Sequence, residues 1–350
     1  MDYDEATVQR NFPNLKKPLY PWQGPAFQFI DAVTRGGRGV FLCDETGLGK
    51  TYTVAAHLVS MGYKAVVVCP AGLRHLWKRK IEDISHLSCL VVDSNYPIHA
   101  EKSDVIIVSY GMLKKRGIWP LSDIIDHQQR VLILDEGHAV KNYDSNRTNI
   151  SLKLAQYARH SIVVTATPLK NRVGELHPLL RITRRLWTEM TFEAFVKSYS
   201  TPERQEEIAE HLQGFMVRRM ADEVWKDAPQ VEVGEAWLPL TNRNDYVEAE
   251  RDFIAWLMRH GADMDRLAAA ERGHALVKLN KLRELAAIGK IEPASHIIEQ
   301  TMNHGEQVVA FCAFNEPLVE LSTRFRYKTG TNYKGQKWQG SGLIVGSVPE

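Results

Sequence analysis

"GVFLCDETGLGKTYT", residues 39–53, passes from an apolar run through two glycines and a lysine into a stretch able to open a helix. A strand that ends in a glycine-rich turn and continues as a helix aims several backbone N–H groups at one point. The positive end of the helix dipole faces the same point, which suits a phosphate. Gly47 and Gly49 would let the backbone approach, Lys50 could reach the terminal phosphates, and the Thr51 hydroxyl could hold Mg²⁺. The full phosphate-loop pattern wants a glycine where Asp44 stands, so an ordinary glycine turn stays open until a second motif is found.

Around this stretch the first half of the chain alternates short apolar runs with helical ones. "AVVVCP" (65–70), "CLVVD" (89–93), "DVIIVS" (104–109), "VLILDE" (131–136) and "SIVVTAT" (161–167) suit buried parallel strands, and "LRHLWKRKIEDI" (73–84) suits a helix. That order predicts a doubly wound α/β domain with a mostly parallel sheet, whose ligands bind at the carboxyl ends of the strands.

"VLILDEGHAVKN" (131–142) supplies the second motif. Two carboxylates at the end of a buried strand are costly unless a cation or a reacting group needs them. Beside a phosphate loop, Asp135 would hold Mg²⁺ and Glu136 would orient and deprotonate the attacking water. The pair of motifs together predicts a nucleoside triphosphate hydrolase.

Composition bounds the setting. At 350 residues the chain has room for two or three units, and its 44% hydrophobic and 25% charged residues are those of a globular protein. A formal charge of +2 excludes a strongly basic protein, so nucleic-acid contact has to come from local patches. Cys43, Cys69, Cys89 and Cys312 show no C-x-x-C spacing and mostly sit in apolar runs, as reduced thiols of an intracellular protein do. No signal peptide or membrane-length apolar run is present, so the expected setting is cytoplasmic or nuclear.

With these motifs in place the chain resembles the superfamily-2 helicases, and within them the Swi/Snf-type DNA translocases. "GLGKT" and "DEGH" are similar to helicase motifs I and II, "VVVCPAGLRHLWKRKIE" (66–82) to motif Ia, "DVIIVSYGML" (104–113) to motif Ib, and "VVTATPLKNRVGELHPLL" (163–180) to motif III. "LYPWQGPAFQFI" (19–30) resembles the adenine-reading glutamine segment, and "FMVRRMADEV" (215–224) the paired-arginine segment after a helical insertion. "KLRELAAIGK" and "GEQVVAFCAFNEPLVELSTRF" resemble the entry to a second RecA-like lobe and its motif IV. Thr46 in place of Met, Ala221 in place of Lys and Lys170 in place of Gln are departures from the family pattern.

The resemblance implies an α/β fold: a RecA-like doubly wound parallel sheet, a helical insertion and the start of a second RecA-like lobe. The expected division is a tail at 1–18, the first lobe at 19–185, a helical protrusion at 186–275 and part of the second lobe at 276–350. Residues 186–275 lack strand patterning. "SYSTPERQEEIAEHLQGFM" predicts a helix started by Thr-Pro, and "NDYVEAERDFIAWLMRHG" a helix with Tyr246, Phe253 and Leu257 on one face and Gly261 as its C-cap. Residues 326–350 hold no counterpart of motifs V and VI, so a further C-terminal segment or another polypeptide is expected to complete the second lobe. Residues 1–350 alone are expected to bind ATP and some DNA but to hydrolyse ATP slowly with little response to DNA.

The implied ligands are ATP and Mg²⁺. Asp44, Glu45, Thr46, Gly47, Leu48, Gly49, Lys50 and Thr51 form the implied ATP loop, and Gln23 is the implied adenine ligand. Thr51 and Asp135 are the metal candidates; His138, Thr165 and Thr167 are implied to couple hydrolysis to movement. DNA, double-stranded and without sequence preference, is the implied partner, held through its backbone. Its candidate contacts are the N–H groups of Gly72 and Leu73, with Arg74, Lys78, Arg79, Ser109, Tyr110 and the "KKR" run at 114–116. Trp22, Trp77 and Trp119 are assigned to packing rather than to base stacking. The function so implied is an ATP-driven translocase or remodeller on duplex DNA. The alternatives are a nucleotide-gated DNA-binding module with little turnover, or a fragment of a single-strand helicase.

Overall fold

The computed structural model describes residues 15–93, 100–116, 121–127, 129–167, 172–186, 190–225, 232–260, 274–326, 329–331 and 337–339. The apolar runs of the N-terminal half become strands β1 (Val40–Leu42), β2 (Ala65–Cys69), β3 (Cys89–Val91), β4 (Val105–Ser109), β5 (Val131–Asp135) and β6 (Ser161–Val164). All pair in parallel, in a sheet whose order, with the short β7 (Met216–Val217) at one edge, is β3-β4-β2-β5-β6-β1-β7. Alternate side chains serve opposite faces: Val66, Val68, Ile106 and Leu132 enter one apolar cluster, and Val67, Cys69, Ile107 and Ile133 the other. Burial on both faces is why these strands read as continuous rather than alternating apolar runs.

Helices α1 (Gln23–Thr34), α2 (Lys50–Met61) and α3 (Arg74–Ile84) cover one face through Ile30, Leu58, Trp77 and Ile81. Helices α4 (Tyr110–Arg116), α5 (Leu121–His127), α6 (Asn146–Tyr157) and α7 (Leu176–Ile182) cover the other through Leu113, Leu121, Leu154 and Leu179. Register then sets the site. Val164 pairs with Leu42 on one side and with Asp135 on the other, so the phosphate loop, the acidic pair and Thr165 leave the sheet at one level.

The seventh strand, β7 (Met216–Val217), departs from the sequence reading, which finds no strand between 186 and 275. Two residues are too short to show a period. They are recruited by the free edge of β1, with Phe41 opposite Met216 and Leu42 opposite Val217. The first compact unit, Met1–Gln230, also takes in α8 (Phe192–Ser198) and α9 (Pro202–Gln213), whose Phe195, Ile208 and Leu212 are buried in its core. Pro202 opens α9 as the Thr-Pro pair predicts.

The second unit, Val231–Glu350, contains α11 (Arg243–Arg251), α12 (Phe253–Arg259), α13 (His274–Gly289), α14 (Ile291–Asn303) and α15 (Asn315–Phe325), after the short α10 (Ala221–Val224) of the first unit. Its described strands, β8 (Thr329–Thr331) and β9 (Lys337–Gln339), form an antiparallel pair. The single helix predicted over "NDYVEAERDFIAWLMRHG" is two. Asp252 leaves the helical region (φ −132°, ψ 87°) and its side chain caps the Ala255 N–H, restarting the helix. The C-cap is His260; Gly261 lies outside the described residues. Phe253 and Trp256 are buried with Ala249, Leu282 and Leu285, and Tyr246 and Leu257 pack against them. Among the described residues no helix is long and apolar enough to cross a membrane.

Candidate nucleotide-binding site

Gly47 (φ +95°) and Gly49 (φ +79°) bend the loop through the left-handed region, where a side chain is strained. A Cβ on Gly49 would also lie 2.3 Å from Gln23 Nε2, so the glycine is what admits Gln23 against the loop. Buried Gln23 donates through Nε2 to the carbonyls of Leu48 and Gly49, each at 3.3 Å, and accepts the Tyr20 N–H at 2.9 Å. Trp22 Nε1 donates to the same Leu48 carbonyl at 3.0 Å. The glutamine expected to read adenine therefore has both ends of its amide engaged, and ties the base-reading segment to the phosphate loop. A cleft of about 350 Å³ lies beside it, lined by Lys17, Leu19, Tyr20, Gln23 and Tyr52.

Lys50 Nζ donates to the carbonyls of Asp44 at 2.9 Å and Glu45 at 3.2 Å, folding back over its own loop. Burial lowers its pKa, and the charges of Glu136, Asp44 and Asp135 oppose that shift. Thr51 follows in the first turn of α2, half-buried.

The two carboxylates after β5 occupy different environments. Asp135 is buried, and burial first, then the Glu136 charge, pushes its carboxyl upward; the Trp77 hydrogen bond pulls it back. Trp77 Nε1 donates to Asp135 Oδ2 at 2.6 Å, and the Tyr110 hydroxyl to the Asp135 carbonyl at 2.8 Å. Glu136 sits in the left-handed region (φ 49°, ψ 52°), a strained conformation for a residue with a side chain, and faces solvent more than Asp135 does. It turns the chain into Gly137–Val140, where a Cβ on Gly137 would meet Val163 Cγ1 at 2.4 Å. His138 Nδ1 lies 3.1 Å from Glu136 Oε2. Thr165, next in the sheet, is buried; its N–H donates to Leu42 O at 3.1 Å, and its Oγ1 accepts from the Thr167 N–H at 3.3 Å. Thr167 itself is exposed.

One residue of the site carries no role in the sequence reading. Arg219, in the paired-arginine segment, donates Nε to Asp44 Oδ1 at 3.0 Å, a second nitrogen to Asp44 Oδ2 and a third to the Trp22 carbonyl. Its own carbonyl accepts the Glu45 N–H at 2.9 Å, and the Glu45 carboxylate accepts the Ala221 N–H at 2.6 Å. The Asp44 and Glu45 side chains thus point to this segment, not to the mouth of the loop. The signal was the arginine pair itself, but its partner lies 175 positions away.

Several DNA candidates have other work. Ser109 and Tyr110 are buried; the Ser109 hydroxyl accepts the Met112 N–H at 3.3 Å, and Tyr110 serves Asp135. Arg74 is held by Val92 O at 3.1 Å and Asp93 at 2.8 Å, and Lys78 by Cys89 O at 3.2 Å and Glu82 at 3.3 Å. The Leu73 N–H is spent on Pro70 O at 3.0 Å. Gly72 and Arg79 remain exposed. Trp77 is core as assigned, and Trp22 is half-buried and stacked on Tyr20 at 4.8 Å. The side chains of 114–116, and Trp119 and Lys170, lie outside what is described.

A parallel sheet that delivers a glycine-lysine loop and a strand-end acidic pair to one edge defines a RecA-like lobe of the phosphate-loop class. The chain belongs to the SNF2-related family: the model of the SNF2-related domain matches residues 22–284. It is 28% identical over 312 residues to the SWI/SNF-related matrix-associated actin-dependent regulator of chromatin subfamily A-like protein 1 homolog of Caenorhabditis elegans, covering 82% of this chain and 42% of that one. It is 30% identical over 171 residues to the human DNA annealing helicase and endonuclease ZRANB3, covering 46% of this chain and 15% of that one. The chain spans less than half the length of these curated relatives. The Sulfolobus solfataricus SWI2/SNF2 ATPase core, solved in complex with dsDNA, shares the fold with a TM-score of 0.56 and 20% identity, over 89% of this chain and 70% of that one.

Proposed function

We propose that this chain hydrolyses ATP and couples the hydrolysis to movement on, or remodelling of, duplex DNA. The observation that carries the reading is the meeting of Lys50, Asp135 and Glu136 at one edge of the sheet, near enough for both carboxylates to bias the lysine's proton. Lys50 is held by two carbonyls that a triphosphate would displace it from, and neutralises charge on the terminal phosphates. Glu136 orients the attacking water and takes its proton; its partial exposure suits a base that works through water. Gln23 couples base recognition to the loop through the Leu48 and Gly49 carbonyls. His138, Thr165 and Thr167 carry the state of the site towards the DNA-facing loops.

The donor set fits Mg²⁺. Thr51 offers a hydroxyl and Asp135 keeps Oδ1 outside the Trp77 hydrogen bond, and such hard oxygens, completed by phosphate and water, suit that ion. When bound, Mg²⁺ supplies charge neutralisation between the phosphates.

Duplex DNA is supported as the track by family membership and by the relatives' printed descriptions. Contact through Gly72, Arg79 and other exposed groups of the α3 turn would be to backbone phosphates, hence salt-dependent and without sequence preference. The free thiols, with Cys43 and Cys69 buried, support an intracellular setting. Steady-state ATP turnover with and without duplex DNA, across a salt series, tests the reading. DNA binding that fades with salt, and ATP turnover stimulated by DNA when both lobes are present, are expected. ATP binding without turnover, with or without DNA at low salt, would confine the function to a nucleotide-binding module.

A further inference from the structure

Trp77 and Tyr110 reach Asp135 from opposite faces of the sheet. Trp77, on α3, belongs to the apolar cluster of one face and is 2% exposed; Tyr110, at the start of α4, belongs to the cluster of the other and is 6% exposed. A buried indole or phenol needs one partner for its polar tip, and any backbone carbonyl would serve. Here both tips go to one residue: the indole N–H to Oδ2 at 2.6 Å and the hydroxyl to the main-chain oxygen at 2.8 Å. An aspartate at a strand end is free to rotate about two side-chain torsions. The indole fixes that rotation and occupies one oxygen, and the phenol fixes the peptide from which the carboxylate hangs. Oδ1 lies outside the indole hydrogen bond and is the oxygen offered to the site, beside the Glu136 N–H that also donates to this carboxylate.

We infer that Trp77 and Tyr110 are positioning residues that preset the Asp135 carboxylate for a divalent cation. The inference rests on the reading of this edge as an ATP site. It explains why the Trp-bearing helix and the β4 end, read from sequence as DNA-facing, send these two side chains inward. Outer-shell partners of this kind change metal affinity by about 10–100-fold when removed.

Trp77→Phe and Tyr110→Phe each keep a ring and delete one donor. Binding of the fluorescent analogue MANT-ATP is measured in EDTA and then along a Mg²⁺ titration, with thermal unfolding of the metal-free protein as a check on packing. The expected result is EDTA affinity within about twofold of the unmodified chain and a half-saturating Mg²⁺ concentration raised about tenfold in Trp77→Phe. Tyr110→Phe, which conserves volume, should raise it several-fold, and it carries the test if Trp77→Phe does not fold. Unchanged Mg²⁺ dependence in folded variants overturns the inference, as does an equal loss of affinity with and without the metal. An unmodified chain that binds MANT-ATP but ignores Mg²⁺ also overturns it while sparing the nucleotide site. No binding by the unmodified chain removes the ATP reading and this inference with it.

Discussion

Arg219 clasps the carboxylate of Asp44 with two nitrogens and the Trp22 carbonyl with a third, joining the end of β7, the phosphate loop and the base-reading segment at one guanidinium. The Asp44 side chain is 1% exposed and that of Arg219 16%. A carboxylate so buried depends on its partner, because removing one member of a buried pair leaves an uncompensated charge.

Arg219→Met should therefore destabilise the first unit by about 3–5 kcal/mol, read from the urea midpoint. Asp44→Asn in the same background should recover part of the loss by removing the orphaned charge. A single variant as stable as the unmodified chain would mean that the pair is open in solution.

Lys50→Ala should abolish most nucleotide binding and lower any turnover by at least about a hundredfold, since it deletes a charge placed for the terminal phosphates. Its cost to stability should be small, because Lys50 bonds only loop carbonyls that water can satisfy. Titration calorimetry with ATP, beside a melting curve, separates the two. Unaltered affinity would sink the assignment of the loop.

The acidic pair should split by function. Glu136→Gln should leave ATP affinity within a few-fold and remove hydrolysis, as the amide fits the same strained turn but takes no proton. Asp135→Asn should instead weaken Mg²⁺-dependent binding. Single-turnover hydrolysis and binding measured on both variants decide the matter; equal hydrolysis by Glu136→Gln would place the base elsewhere.

The buried sheet and the two motifs were legible because each is local. Parallel strands covered on both faces leave runs such as "VVVC" and "VLIL", and the loop and acidic pair are read within a dozen residues. What escaped was set by distance or by side-chain competition. β7 is two residues held by the edge of β1, and Arg219 finds Asp44 across 175 positions. Asp252 breaks a well-patterned helix by capping Ala255. Tyr110 looks like a surface residue after a strand until Asp135 is seen beneath it, and Arg74 looks free until Asp93 folds against it.

A buried histidine pair gives the last prediction. His57, on α2, and His160, just before β6, place their Nε2 atoms 3.2 Å apart, with both Nδ1 atoms buried and lacking a hydrogen-bond partner among the described residues. The contact needs one ring to donate and the other to accept, which two neutral imidazoles satisfy and two imidazolium rings cannot. Burial drives the pKa of His57 down to about 4 and that of His160 to about 3, the latter also lowered by the charge of His57. Asp31 opposes the shift of His57, while Arg159 and Arg184 add to that of His160. Both values lie below the unfolded value near 6.5, so between those limits the unfolded chain binds more protons than the folded one, and stability falls as pH falls. At about 1.4 kcal/mol per unit for each ring, discounted for partial protonation of the unfolded chain, the two should cost about 2 kcal/mol per pH unit between pH 6 and 5. The unfolding free energy of the unmodified chain and of a His57→Gln, His160→Gln double variant, followed from pH 7 to 5, measures this. The variant should be less stable at pH 7 but should lose less on acidification; parallel curves would show that neither ring resists protonation in the fold.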